Sequence, residues 1–199
     1  MKKVVLTMYI LCITAVCQAQ ILKVDNGITI NHLHGSDIDQ FKGTFNSYAG
    51  QVGIEYLERK YFYLSSGIGY VKLGGEAERP IGYSEPFTNR EEWSYVHLNT
   101  IFRGRGSINK TEVFAGIGPY LNILAGDTQM KNILYSGYTV PRTNWGGRLE
   151  AGVNDNAGRF KFGLYASYLL PFSAPVKTQY TSWDTRSIGI YASVGYRLK

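Results

Sequence analysis

The chain is 199 residues long and carries a formal net charge of +6. That length suits one domain, and the Lys and Arg residues are scattered instead of gathered into runs, which excludes a basic tract for nucleic acid. Both cysteines, Cys12 and Cys17, lie near the N-terminus, so the rest of the chain holds neither a disulfide nor a thiolate metal site.

Residues 1–19 read as a signal peptide. Lys2 and Lys3 supply the basic start, Val4 to Val16 an apolar stretch, and Cys17-Gln18-Ala19 a cleavage site ahead of Gln20. The apolar stretch is shorter than the roughly 20 residues of a spanning helix. A lipid-anchored start at Cys17 competes with this reading, but Val16 stands where a small Gly, Ala or Ser is usual. Residues 20–199 then form a single domain. None of its segments suits a spanning helix, so a membrane location requires a closed barrel.

From Tyr48 to Leu198, apolar residues recur at every second position with Gly, Ser or charged residues between them. That is the period of a strand with two unlike faces. Eight strands are predicted in chain order, at 23–33, 48–58, 61–72, 93–104, 112–124, 145–154, 159–170 and 187–198. Each is close to the roughly 9 to 11 tilted residues that cross a bilayer. The connections alternate in length: Glu58-Arg59-Lys60, Arg105 to Thr111 and Asp155 to Gly158 are short, whereas Gly35 to Ser47, Gly74 to Glu92, Ala125 to Asn144 and Pro171 to Arg186 are long. An even strand number with turns at one end and loops at the other predicts an all-β, eight-stranded antiparallel up-and-down transmembrane barrel. It belongs in a bacterial outer membrane, with both termini and the short turns periplasmic.

The parity of each strand assigns its faces. Tyr48, Val52, Ile54 and Tyr56 share a face with no charge, as do Phe62, Leu64, Ile68 and Tyr70, then Trp145, Leu149, Ala151 and Val153, then Phe160, Phe162, Leu164, Ala166 and Tyr168. This face fits lipid. Tyr48, Tyr70, Trp145 and Tyr168 fall at its loop end, and Tyr56, Phe62, Phe102, Phe160 and Tyr196 at its turn end, forming two interfacial girdles. The opposite face carries Gln51, Glu55, Asn99, Arg103, Arg148, Glu150, Lys161 and Arg197 among many glycines. Eight strands leave an interior that side chains fill, so a plugged lumen is expected. In it Glu55 and Glu150 bond Arg103, Arg148, Lys161 or Arg197, because buried charges need partners. A soluble lipocalin-like barrel is the alternative fold, but it leaves the charged face outside and both girdles unexplained.

Here the chain resembles the PorT-like outer-membrane β-barrel proteins common in Bacteroidetes. The residues that carry the resemblance are Val52-Gly-Ile-Glu55-Tyr56, Tyr63-Leu-Ser-Ser-Gly-Ile-Gly-Tyr70, Ala115-Gly-Ile-Gly-Pro-Tyr120-Leu, Gly147-Arg-Leu-Glu-Ala-Gly152 and Ser193-Val-Gly-Tyr-Arg-Leu198. The resemblance spans nearly all of the chain after the signal segment. It implies an outer-membrane location and insertion by the barrel-assembly machinery, and it implies no enzymatic activity. The family usually ends on an aromatic residue, whereas this chain ends on Leu198-Lys199; either Tyr196 serves that role or insertion is less efficient.

The search for chemistry returns little. Gly67-Ile-Gly69 and Gly116-Ile-Gly118 lack the third glycine of a nucleotide loop, with Lys72 and Leu121 in its place, and neither opens a helix. His32 and His34 share a strand face at the rim, too loose a pair for a metal site, and His97 reads as a hydrogen-bonded interior residue. No catalytic, metal or cofactor site is expected, and no trio for a lipid-acting hydrolase assembles. Aromatic and proline residues in the long loops, among them Pro80, Tyr83, Pro86, Phe87, Tyr135, Tyr138, Tyr180 and Trp183, suit either mutual packing or an extracellular protein or glycan partner. The expected role is structural or interactive, through loops or turns, with outer-membrane lipid around the barrel. A narrow channel is the second reading and a lipid-acting enzyme the third.

Overall fold

The computed structural model describes residues 19–35, 43–76, 90–108, 111–128, 140–173, 176–177 and 182–198. The signal segment lies outside the described residues except for Ala19, as do the loop residues Pro80, Tyr83, Pro86, Phe87, Tyr135, Tyr138 and Tyr180 and the side chain of His34.

Strict alternation yields long antiparallel strands, because each backbone pairs with both neighbours while its side chains divide between two faces. They are β1 (Ala19–Gly35), β2 (Thr44–Tyr56), β3 (Phe62–Glu76), β4 (Arg90–Ile108), β5 (Thr111–Leu124), β6 (Thr143–Ala157), β7 (Phe160–Pro171), a two-residue β8 (Val176–Lys177) and β9 (Ser182–Arg197). Each long strand pairs with the next, and β9 pairs with both β7 and β1. The sheet closes into an eight-stranded barrel, with β8 appended to the loop end of β9. Closure removes the open edges that a sheet otherwise exposes. The chain end is held too, since the Leu198 N–H donates to the Gln20 carbonyl.

The strands outrun their predicted limits. Gly74, Gly75 and Glu76 pair with Glu92, Glu91 and Arg90, so the connection read as Gly74 to Glu92 shortens to residues 77–89. Likewise Thr44 to Ser47 belong to β2, Arg105 to Ile108 to β4 and Asp155 to Ala157 to β6. Trp183, read as a loop residue, pairs through its backbone with Val176 and Gly35. The physical reason is that ladder bonds are made by the backbone and continue past the point where side-chain alternation marks a bilayer crossing. β6 and β7 meet in a two-residue turn at Gly158-Arg159, where Gly158 takes φ +63° without the Cβ penalty that other residues meet.

Exposed residues follow the predicted apolar face: Val52, Ile68, Leu149, Val153, Phe162 and Leu164 all point outward. The core is the lumen, and it has two halves. Towards the loops it is aliphatic and aromatic, with Leu33, Leu73, Trp93, Tyr95, Val140 and Leu169 in one cluster. Towards the turns it is charged.

Candidate functional site: the barrel interior

The charged half is built from inward positions of six strands. Lys23 and Asp25 come from β1, Glu55 from β2, Arg103 from β4, Glu112 from β5, Arg148 and Glu150 from β6 and Lys161 from β7. Four cations therefore meet four carboxylates, all of them buried. Glu150 lies at the centre: its carboxylate is 2.5 Å from Arg103 Nη2 and 2.8 Å from Arg148 Nε. Arg103 also reaches Glu55 at 3.3 Å, and Lys161 bridges Glu55 at 2.9 Å and Glu112 at 3.1 Å. Burial of charge is tolerated only with such partners and hydrogen bonds.

Aromatic rings occupy the remaining space. The Arg103 guanidinium sits 4.5 Å from the Phe114 ring centre, and the Lys161 ammonium 4.4 Å from that of Tyr63, geometry in which the ring face attracts the cation. Tyr165 and Tyr191 stack with centroids 5.0 Å apart. Gly189 makes room for this stack, because a Cβ there would stand 2.4 Å from the Tyr191 ring.

Between the charges and the aromatic cluster runs a hydrogen-bonded layer of amides and a histidine that starts from the Lys23–Asp25 pair. Lys23 and Asp25 pair at 2.7 Å, and Asp25 also accepts from Gln51 at 2.6 Å and from Tyr165 at 3.0 Å. Asn99 donates to Gln51 Oε1 at 2.8 Å. His97 Nε2 lies 2.8 Å from Arg148 Nη1, and its Nδ1 lies 2.6 Å from Asn122 Oδ1. A guanidinium only donates, so Nε2 accepts and Nδ1 carries the proton given to Asn122. Both ring nitrogens are thereby engaged. Asn122 continues to Asn144 at 3.3 Å, and Asn144 donates to the Ser173 carbonyl at 2.8 Å. The void beside Gln51, His97, Arg148 and Tyr191 measures about 10 Å³, at the lower limit for one water.

Of the charges singled out in the sequence, the structure brings together Glu55, Arg103, Arg148, Glu150 and Lys161. Arg197 stands apart. It is half-exposed at the turn-side mouth and approaches Glu58 at 3.7 Å, beside the Arg105–Glu58 pair at 2.5 Å. On β9 Arg197 lies one inward step beyond Gly195, which pairs with Lys161, and its ion-pair partner among the described residues is Glu58. Sequence reasoning missed Lys23, Asp25 and Glu112. The signal existed: Lys23 and Asp25 share the inward parity of Thr29 and Asn31, and alternation extended through β1 finds them. Their partners are distant in sequence and carry no local signature.

The aromatics assigned to the outer face lie towards the ends of their strands. At the turn end Phe62 stacks on Phe102 with centroids 5.3 Å apart, Phe160 meets Tyr196 edge-on at 5.4 Å, and Tyr56 bonds Ser66 at 3.1 Å. At the loop end Tyr48 and Trp145 are exposed, Tyr70 bonds Ser94 at 2.8 Å, and Tyr168 is half-buried. His32 is half-buried at the rim.

An apolar outer wall, a closed antiparallel eight-stranded ladder and an internally paired polar lumen define the fold of the small outer-membrane barrels. Solved structures carry the same fold. The chain is similar to the outer membrane protein OprG from Pseudomonas aeruginosa at 10% identity and TM-score 0.58, over 90% of this chain and 97% of that one. It is similar to AlkL, solved in lipid bilayers, at 11% identity and TM-score 0.53, over 92% and 91%. The Neisserial surface protein A gives 12% and 0.51, over 89% and 97%. No protein-family model matches the chain, and no curated protein sequence does.

Proposed function

We propose that this protein is a PorT-like outer-membrane barrel whose lumen is closed and whose work is done by its ends, through contact of the long loops or short turns with a protein or glycan. The carrying observation is the bonded interior, where Arg103, Glu150 and Arg148 cross the lumen at hydrogen-bond distance. A lumen so filled conducts nothing, because eight strands leave room only for side chains. The apolar wall and aromatic girdles support a location in outer-membrane lipid, reached through the barrel-assembly machinery, with both termini on the periplasmic side. A non-enzymatic role is in keeping with His97, the buried interior histidine, whose ring nitrogens are both engaged by Arg148 and Asn122.

Two measurements test this reading. Purified, folded protein in a planar bilayer is expected to show no stable conductance. Steady openings that vanish on substituting lumen charges overturn the closed-scaffold reading in favour of a channel. Cell fractionation with protease shaving from outside is expected to cut within the long connections only; recovery in the soluble periplasmic fraction removes the membrane assignment.

A further inference from the structure

The outward row of β1 has an amide at its centre. Leu22, Val24, Ile28 and Ile30 are exposed and apolar, two on either side of Asn26, which is exposed as well. Ile30 lies four residues along the strand from Asn26, roughly 13 Å at the ordinary rise, and Leu22 four residues the other way. A carboxamide on a single methylene is too short to cross either flank, so in an outer wall that faces lipid it stays within hydrocarbon. The Asn26 side chain makes no hydrogen bond among the described residues, and hydrocarbon supplies none. The hydroxyls of the wall are treated differently: those of Tyr56, Ser66 and Thr100 bond one another at 3.1 and 2.9 Å, and Tyr70 bonds Ser94 at 2.8 Å.

Small residues stand on both sides of the amide. Register sets Asn26 opposite Gly50 of β2 and Ala192 of β9, and the next members of that row are Tyr70 and Leu164. The wall is therefore low across β2, β1 and β9, and small residues let a second surface approach closely, as they do between membrane helices. A second polar group is turned towards the same place. Tyr48 is exposed towards the loop end of β2, yet its hydroxyl lies 2.6 Å from where a Gly50 Cβ would stand, on the side away from the loops. That hydroxyl also has no hydrogen bond among the described residues.

We propose that this face is a two-fold interface between two copies of the barrel in one membrane, the two Asn26 carboxamides exchanging a pair of N–H···O bonds across the axis. The inference rests on the outer wall facing lipid, as in the proposed function. The occupant follows from chemistry and depth. A primary amide is both donor and acceptor, so another amide satisfies both halves at once, whereas an acyl chain satisfies neither. Copies inserted in the same direction carry Asn26 at the same depth, and a two-fold along the membrane normal brings one patch onto itself. Gly50 and Ala192 give the clearance that lets side chains this short meet.

The test folds the mature chain into preformed phosphatidylcholine vesicles, each copy labelled through a cysteine added after Lys199, and counts copies by stepwise photobleaching as lipid is diluted in. The parent is expected to show a dimer that dissociates on dilution. Asn26→Leu, which extends the apolar row, should weaken that dimer about tenfold, the scale of a hydrogen bond made inside a membrane. A second measurement locates the contact. With no added label, Val24→Cys, one outward position from Asn26, should be joined into dimers by a short bis-maleimide. Ile117→Cys should not, since β5 lies four strands from β1 in either direction. A parent that is monomeric at every dilution leaves the amide facing lipid and overturns the interface. So does an Asn26→Leu dimer of parental strength, or equal joining at Val24 and Ile117. A chain that never acquires heat-resistant mobility in lipid overturns the membrane reading itself, a result distinct from a folded barrel that stays monomeric.

Discussion

Glu150 is held by two guanidinium groups, and its removal leaves Arg103 to share Glu55 with Lys161 and takes from Arg148 its carboxylate partner among the described residues. Loss of one partner from a buried pair strands a charge in low dielectric. Glu150→Ala should therefore cost about 3 to 5 kcal/mol in urea unfolding from lipid vesicles, and the loss should hardly change with salt. Arg197→Ala is the control: its pair with Glu58 is long and half-exposed at 3.7 Å, so about 0 to 1 kcal/mol is expected, falling with salt. A neutral Glu150→Ala would mean that water fills the lumen and would undo the plugged interior.

At the scale of an element, β9 shows how parity converts one sequence into two surfaces. Ala192 points outward, while its neighbour Ser193 points inward, opposite Asp25 in the β1–β9 register. Ala192→Arg places a charge on the apolar wall and should cost roughly 2 to 4 kcal/mol near mid-membrane. Ser193→Thr keeps the hydroxyl and adds one methyl group, so it should be far milder. Vesicle-folding titrations that return equal losses for the two variants would contradict the facing assignment. Regularity breaks elsewhere: the β4–β5 pairing lapses at Thr100 and Ile101, opposite Pro119 of β5, which has no N–H to donate.

For the whole molecule, closure separates stability from the connections. The paired ends Glu76 and Arg90 face each other across β3 and β4, so residues 77–89 can be replaced by a two-residue Asn-Gly turn that fits a right-handed hairpin. The barrel should keep its heat-resistant mobility on gels, since the ladder and the lumen network are untouched. Any loop-borne interaction should disappear in the same variant. Loss of the heat-resistant form would assign that loop a part in holding the barrel and weaken the view of it as an interaction surface.

Alternation by itself determined that this chain makes eight strands, which residues face out and which charges enter the lumen, because a period of two is a local property of the backbone. Glu55, Arg103, Arg148, Glu150 and Lys161 were legible as a group for that reason. Their pairing was not, since register around a closed barrel sets which strands stand at one level, and it left Arg197 at the mouth with Glu58 while joining Glu55 of β2 to Arg103 of β4 and Lys161 of β7. The strand ends were also hidden, because backbone pairing continues where side-chain alternation fades.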